Sequence, residues 1–248
     1  MALLTRDLSY DDLGTALTGA LHWDDARHEP RPGILLVHGG AGLDDHAREQ
    51  ARRYAGLGYT VLACDMYGPG VAGDRERIMA AVTALRDDPE LLVRRGQAGL
   101  DALAGCPEAR GGFAAVGFCF GGMAVLTLAR AGAGVAGGSL AGVVSMHGSL
   151  AASRPARPGA VTARVLACHG AADPHVPMAD VTAFTAEMET AGADWQLNVY
   201  GGAQHGFTHR TAVPGAIPGV AYHEATDKRS FAAAREFLAS VLAASRPG

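Results

Sequence analysis

Phe-Ala-Ala-Val-Gly-Phe-Cys-Phe-Gly-Gly, residues 113–122, is the stretch of this 248-residue chain that decides the fold. A strand-like apolar run leads into Gly-Phe-Cys-Phe-Gly at 117–121, and an apolar helical pattern follows at 123–131. Strand, tight turn and helix in this order are typical of a nucleophile elbow, with Cys119 where the motif G-x-S-x-G has serine. The flanking glycines permit a strained backbone and a close approach of strand and helix. A thiol at a helix N-terminus is favoured as thiolate, and a buried cysteine in a Gly-rich turn is the alternative.

Length and composition suit one large α/β domain over residues 1–248, with two small domains as the alternative. The hydrophobic fraction is 48 % and the formal net charge is -4. Lys228 is the only lysine and the arginines are scattered, so we expect no nucleic-acid binding. The sequence contains no run of about 18 apolar residues that would predict a membrane span. Residues 1–13 carry four charged side chains rather than a secretion signal, so we expect a cytoplasmic protein.

The cysteines lie at positions 64, 106, 119 and 168. Their spacing matches neither a C-x-x-C pair nor a zinc site, so the sequence predicts free thiols. Cys64 and Cys168 end apolar runs and are predicted to be core residues. Cys119 therefore stands apart from the others by its position in a turn.

Strand patterns alternate with helical patterns along the chain. Strands are predicted at 33–38, 59–64, 112–117, 140–146, 163–168 and 194–200. Helices are predicted at 44–57, in two pieces over 74–104 that break near Asp88-Pro89, and at 123–131, 178–191 and 227–243. This alternation predicts a mostly parallel sheet with helices on both faces. Loops at the carboxyl ends of parallel strands then share one rim, where ligands bind.

A nucleophilic cysteine needs a base, and the base needs a third group that orients it. Gly-Ala-Ala-Asp-Pro-His-Val-Pro at 170–177 follows a predicted strand and presents Asp173 ahead of a helix. After the next strand, His205 lies in a Gly-flanked loop. Asp173 alone could be a turn residue or helix cap, and His205 alone could make a surface hydrogen bond. All three occur at strand ends in the order nucleophile, acid, histidine, which favours a catalytic triad.

These residues carry a family resemblance. The chain resembles the dienelactone hydrolase family of α/β-hydrolases over roughly residues 16–243, at Gly-Phe-Cys-Phe-Gly-Gly 117–122, Asp-Met-Tyr-Gly 65–68, Gly-Ala-Ala-Asp 170–173 and His-Gly-Phe 205–207. The resemblance implies an α/β-hydrolase fold and a Cys119-His205-Asp173 triad. It implies an acyl-enzyme mechanism on a small-molecule ester or lactone, with no metal and no organic cofactor.

Two backbone N–H groups are expected to form the oxyanion hole. One belongs to Phe120, at the start of the elbow helix. The other belongs to Gly40, in the run His-Gly-Gly-Ala-Gly at 38–42 that resembles the H-G-G loop of esterases. A flexible turn is the alternative explanation for these glycines.

The chain departs from the family at the residues that recognise substrate. Dienelactone hydrolases have a glutamate in the loop after the first core strand, where this chain has Gly39. The positions that match two carboxylate-binding arginines of the family hold Gly-Pro-Gly at 68–70 and His209, with Arg210 as a neighbouring candidate. These differences argue against dienelactone itself and favour a neutral or differently charged ester.

Other residues near the predicted rim are candidates for the substrate pocket. His38 is also expected to orient the oxyanion loop, and Tyr67 and His147 could equally pack or bond in turns. Phe207 could form an apolar wall or belong to the core. The full set of pocket candidates is His38, Tyr67, His147, Phe207, His209 and Arg210.

The leading hypothesis is a carboxylic-ester or lactone hydrolase that acts as a monomer or small homo-oligomer. A thioesterase, acyltransferase or cyclising enzyme on the same fold is the second hypothesis, because the substrate-binding residues of the family are absent. A non-catalytic binding scaffold is the third. Equal reactivity of Cys119 and the other thiols would favour that scaffold.

Overall fold

The computed structural model describes residues 3–26, 29–136 and 138–243. Its strands are β1 (Leu3–Asp12), β2 (Thr15–Asp24), β3 (Arg31–Val37), β4 (Thr60–Cys64), β5 (Ala109–Phe118), β6 (Gly134–Val135), β7 (Gly138–Ser139), β8 (Gly142–Met146), β9 (Arg164–Gly170) and β10 (Trp195–Tyr200). Its helices are α1 (Asp45–Ala55), α2 (Arg75–Asp87), α3 (Pro89–Ala104), α4 (Phe120–Arg130), α5 (Met178–Ala191) and α6 (Glu224–Ala243). A single domain over 1–248 stays a prediction, and residues 1–2, 27–28, 137 and 244–248 of that span lie outside the described part.

The main sheet has eight strands in the order β1-β2-β4-β3-β5-β8-β9-β10. The strands β4, β3, β5, β8, β9 and β10 pair in parallel. Strand β2 joins β4 and β1 antiparallel, so the hairpin β1–β2 forms one edge of the sheet. The prediction of a mostly parallel sheet in an α/β-hydrolase fold is confirmed.

The parallel strands are buried on both faces, and alternate residues of β5 show it. Ala114 and Val116 pack in the cluster that contains residues of α1 and α6, whereas Ala115 packs in the cluster of α2, α3, α4 and α5. A strand covered on both sides is apolar at every position, because each face must meet a helix. The predicted placement of helices on both faces is therefore confirmed.

Local sequence signals explain several element boundaries. Asp44 caps α1 by accepting a hydrogen bond from the Ala47 N–H at 2.9 Å. Asp88 ends α2 and caps α3, where Pro89 occupies the first turn and has no N–H to leave unpaired. The predicted break near these two residues is confirmed, and the final helix begins at Glu224, slightly before the predicted start.

The sequence analysis missed the N-terminal hairpin. Strands β1 and β2 join through Leu13 and Gly14, both at positive φ (47° and 87°), as a tight two-residue hairpin turn requires. Strand β1 is an edge strand that is half exposed along its length, so it lacks the apolar run that marks the central strands. In the described ranges, no helix is both long and apolar enough to cross a membrane.

Candidate active site

Cys119 lies between the end of β5 and the start of α4, at the carboxyl edge of the sheet. Its backbone has φ 53° and ψ -113°, a conformation that is strained for a residue with a side chain. The flanking glycines are required sterically. A Cβ at Gly117 would overlap the carbonyl oxygen of Gly121, and a Cβ at Gly121 would overlap that of Val37. The sequence motif therefore folds as the sharp turn that it predicts.

Within the predicted triad, the histidine lies within hydrogen-bond distance of both the cysteine and the aspartate. His205 Nε2 is 3.0 Å from Cys119 Sγ, and His205 Nδ1 is 2.8 Å from Asp173 Oδ2. The other oxygen of Asp173 accepts a hydrogen bond from the His175 N–H at 2.8 Å. The carboxylate therefore has a fixed orientation, and it fixes the imidazole in turn.

The charges of this trio favour an ion pair. Burial raises the pKa of Cys119, but the hydrogen bond and charge of His205 outweigh it and hold the thiol pKa below its usual value. Burial lowers the pKa of His205, but hydrogen bonds to Asp173 and Cys119 outweigh it and raise that pKa to about 10. A thiolate beside an imidazolium is the state that this geometry stabilises near neutral pH.

The N–H groups of Phe120 and Gly40 both point at Cys119 Sγ, and their hydrogen bonds help to lower the pKa of the thiol. The loop that carries Gly40 is anchored, because Tyr67 Oη donates a hydrogen bond to the Gly40 carbonyl at 3.0 Å. His38 Nδ1 contacts the Gly39 carbonyl at 2.7 Å, and His38 Nε2 accepts the Met66 N–H at 3.2 Å. The two predicted oxyanion donors thus lie together in a loop that hydrogen bonds hold in place.

Three of the predicted pocket residues lie beneath the site rather than in its wall. The exposed fractions of His38, His147 and Phe207 are 0, 2 and 0 %. Phe207 packs edge-on against the ring of His147 with centroids 4.9 Å apart. These three side chains are therefore covered by their neighbours in this structure, and a role in lining the substrate pocket stays a prediction that their burial argues against.

The other pocket candidates lie nearer the surface. Tyr67 is largely buried, and its hydroxyl donates a hydrogen bond to the Gly40 carbonyl. His209 stacks on His46 with ring centroids 4.2 Å apart. Arg210 is 57 % exposed and forms an ion pair with Glu49 at 3.2 Å, which directs its guanidinium toward α1. This pairing speaks against Arg210 as a replacement for a carboxylate-binding arginine.

Position 39 has room for a side chain. A Cβ at Gly39 would lie 3.9 Å from the Cβ of Cys119 and 3.7 Å from the Phe118 carbonyl oxygen, which is ordinary contact. A carboxylate at this position would therefore lie next to the thiol. The chain has none, and its thiol is flanked by hydrogen-bond donors instead.

The sequence analysis missed Thr208 and His46. Thr208 is 2 % exposed, and its Oγ1 lies 2.8 Å from His147 Nε2 and 3.1 Å from His46 Nε2. Thr208 directly follows the His-Gly-Phe motif at 205–207, which is the one sequence signal for it. His46 lies in the first turn of α1, and nothing in the sequence connects it to the site.

A cavity of about 1440 Å³ lies between β1, α3, α4 and the loop after β8. Among the described residues its lining includes Met123 and Ser149, whereas Cys119, Asp173 and His205 lie outside it. The N–H of Met123 donates to the Cys119 carbonyl at 3.2 Å, so the cavity wall begins one helical turn from the nucleophile. The site is therefore located by the contacts between its reactive groups, not by the size of the cavity.

Known proteins resemble this chain in sequence and structure. A sequence profile of the dienelactone hydrolase family matches residues 19–242. The solved structure of m3DLH is 38 % identical, with a TM-score of 0.90 over 98 % of this chain and 100 % of its own. A dienelactone hydrolase-like promiscuous phosphotriesterase from metagenomic libraries is 37 % identical, with a TM-score of 0.87 over 97 % of this chain and 99 % of its own.

Two further matches are more distant. Uncharacterized protein K02A2.1 of Caenorhabditis elegans is 33 % identical over 52 % of this chain and 80 % of its own length. The dienelactone hydrolase of Anabaena variabilis is 21 % identical, with a TM-score of 0.69 over 98 % of this chain and 100 % of its own, and shows the shared fold. The chain therefore belongs to the dienelactone hydrolase family and is a hydrolase that acts on ester or lactone bonds.

Proposed function

We propose that this protein hydrolyses carboxylic esters or lactones through a covalent thioester on Cys119. The observation that carries the proposal is the chain of contacts from Cys119 Sγ to His205 Nε2 at 3.0 Å and from His205 Nδ1 to Asp173 at 2.8 Å. Nucleophile, base and orienting acid in this geometry are what acyl transfer through a covalent intermediate requires.

In the first half-reaction the Cys119 thiolate adds to the substrate carbonyl carbon. The carbonyl oxygen becomes an oxyanion, which the N–H groups of Phe120 and Gly40 stabilise. When the tetrahedral adduct collapses, the bond to the alkoxy oxygen breaks and the His205 imidazolium gives that oxygen its proton. The products of this step are an alcohol and a thioester on Cys119, and His205 is left neutral.

In the second half-reaction His205 takes a proton from water as the water oxygen adds to the thioester carbonyl. Collapse of this adduct breaks the carbon–sulfur bond and releases the carboxylic acid. The thiolate and the imidazolium are then restored. Asp173 stays ionised throughout and stabilises the imidazolium whenever it forms.

The substrate that we propose is a neutral ester or lactone rather than dienelactone. The positions that match the two carboxylate-binding arginines of the family hold Gly-Pro-Gly at 68–70 and His209. The nearby Arg210 is paired with Glu49. An anionic substrate would therefore meet little compensating charge, and charge compensation is what makes carboxylate recognition tight.

A neutral phosphotriester is the second candidate substrate. A relative of 37 % identity is described as a promiscuous phosphotriesterase. The observation that favours it here is a thiolate flanked by N–H donors in a site with the carboxylate-binding arginines replaced. Hydrolysis of diethyl p-nitrophenyl phosphate by the wild-type protein, and its loss in Cys119→Ala, would support this activity.

The proposal is tested by hydrolysis of short p-nitrophenyl esters. Cys119→Ala removes the nucleophile, so we expect turnover to fall to the background rate. Cys106→Ala is the matched control, because Cys106 is also a buried thiol but contacts Arg6 far from the triad. Turnover by Cys119→Ala at the wild-type rate would contradict the proposal.

A further inference from the structure

A row of buried polar side chains leads from α1 to the back of the nucleophile turn. The Cys119 N–H is shared between the Met146 carbonyl at 3.0 Å and His147 Nδ1 at 3.2 Å. His147 Nε2 lies 2.8 Å from Thr208 Oγ1, which lies 3.1 Å from His46 Nε2. None of these groups takes part in the proposed chemical steps.

The donor and acceptor of each hydrogen bond can be assigned by starting from the backbone N–H of Cys119. A backbone N–H can only donate, so His147 Nδ1 must be the acceptor. Burial, together with the charge of His205, holds the pKa of His147 well below its usual value, so the ring is neutral and carries its proton on Nε2. That proton is donated to Thr208 Oγ1, and the Thr208 hydroxyl proton is left to point at His46 Nε2.

The opposite end of the row gives the same direction independently. Arg53 Nη1 contacts Asp227 at 2.8 Å and donates to Gln50 Oε1 at 3.0 Å, which fixes the orientation of the Gln50 amide. The NH₂ group of Gln50 therefore faces His46 Nε2, at 3.4 Å, and can only donate a hydrogen bond to it. His46 Nε2 must then be an acceptor, as the nucleophile end also requires.

We propose that Gln50, His46 and Thr208 set the tautomer of His147, and that His147 in this tautomer positions Cys119 by accepting its backbone N–H. In the opposite tautomer an Nδ1–H would face the Cys119 N–H, and two donors would oppose each other. The Cys119 N–H would then keep only the Met146 carbonyl as acceptor, and the turn that holds Cys119 at φ 53° would lose one of the contacts that fix its backbone. A shift of this backbone would also change the direction of the Phe120 N–H relative to Cys119 Sγ, and the thiolate would lose stabilisation.

The proposal concerns the reactivity of Cys119 and rests on the proposed function only for its effect on turnover. The ionisable groups that face His147 are His205, His46 and His209, and its Nδ1 faces the backbone N–H of Cys119. The readouts are therefore the thiolate absorbance titration and the rate of alkylation of the Cys119 peptide by iodoacetamide, followed by mass spectrometry. Neither readout needs a substrate.

Two variants change the row at a distance from the nucleophile. Thr208→Val removes the hydroxyl with little change in shape. Gln50→Glu replaces the donor that faces His46 with an acceptor, which favours the opposite direction of donation along the row of hydrogen bonds. We expect each to raise the pKa of the Cys119 thiol by about one unit, and so to slow its alkylation by about tenfold at a pH below the wild-type pKa of this thiol. Gln196→Glu, an exposed change of the same type on β10, should leave both readouts unchanged.

A second pair of variants tests the acceptor itself. In His147→Asn the side-chain oxygen takes the place of Nδ1 and can accept the Cys119 N–H, whereas His147→Leu offers no acceptor. At a pH below the wild-type pKa of Cys119, we expect alkylation in the Asn variant to stay near the wild-type rate and in the Leu variant to fall about tenfold, as for a one-unit change in pKa. If Thr208→Val fails to fold, this comparison still tests whether an acceptor at position 147 controls the reactivity of Cys119.

Wild-type titration of Cys119 in both Thr208→Val and Gln50→Glu would overturn the proposal. Equal losses in His147→Asn and His147→Leu would overturn it as well. Failure of the proposed function is a separate result, because it would be seen as ester turnover that survives Cys119→Ala. The titration of the thiol would still report on the row of hydrogen bonds in that case.

Discussion

His205 Nε2 lies 3.0 Å from Cys119 Sγ, and the lowered pKa of the thiol and the raised pKa of the imidazole favour an ion pair over a neutral pair. The backbone N–H groups of Phe120 and Gly40 share in stabilising the thiolate. The glutamate that the family carries in this loop is absent here, where the matching position holds glycine. Gly39 at this position adds no second negative charge beside the sulfur.

The pH dependence of kcat/KM for a neutral ester should be bell-shaped. Because the pKa of Cys119 is lowered, activity should be present above that pKa and lost as the pH falls through it. Because the pKa of His205 is raised to about 10, activity should be lost again as the pH rises through that value. An acid limb at or above the ordinary thiol pKa of about 8.5 would contradict the lowered value.

Asp173→Asn should slow turnover by roughly two to four orders of magnitude, mainly through kcat. The amide cannot stabilise an imidazolium, so the pKa of His205 falls and the thiolate loses its counter-ion. Steady-state kinetics with p-nitrophenyl acetate and alkylation of Cys119 at neutral pH would measure both effects. Asp194→Asn, which removes an exposed carboxylate paired with Arg164, is the control and should behave as wild type. Equal kcat in the two variants would contradict the role of Asp173.

Gly39→Glu should move the acid limb of the pH profile upward. The new carboxylate would lie close to Cys119, and a like charge within about 4–6 Å raises the pKa of a thiol by roughly one unit or more. Gly39→Gln has the same shape without the charge and serves as the matched control. If the two variants titrate alike, the charge at position 39 does not govern the thiol.

Phe207→Ala should lower the free energy of unfolding by about 3–5 kcal/mol, because its ring is fully buried and its loss leaves a cavity. Urea denaturation would measure this loss. Phe207→Leu keeps most of the volume, so it should lose less stability and keep the KM of the wild type for a small ester. A changed KM in Phe207→Leu with an unchanged free energy of unfolding would instead indicate that Phe207 contacts the substrate.

Much of the fold and of the site could be predicted because both depend on local patterns. The apolar runs that became β3, β5 and β9 are continuous, and the turn around Cys119 is fixed by glycines that no other residue could replace. Since parallel strands carry their loops to one edge, the sequence order alone was enough to bring Cys119, Asp173 and His205 to that edge.

The depth of each side chain could not be predicted, because it depends on backbone angles and on neighbours distant in sequence. His147 ends a strand, as a pocket residue would, but its φ of 41° is associated with a ring that lies beneath Cys119. Its partner Thr208 comes from a loop 61 residues away. The edge hairpin was missed for a related reason, since its stability comes from pairing with β4 rather than from an apolar run of its own.

The most direct test of the central claim is to trap the acyl-enzyme. The wild-type protein is mixed with p-nitrophenyl acetate, quenched in acid before the steady state, digested and analysed by mass spectrometry. We predict that the peptide containing Cys119 carries one acetyl group, that the peptides of Cys64, Cys106 and Cys168 carry none, and that Cys119→Ala shows no such adduct. An unmodified Cys119 during rapid turnover, or acetylation at another residue that accounts for turnover, would contradict the account.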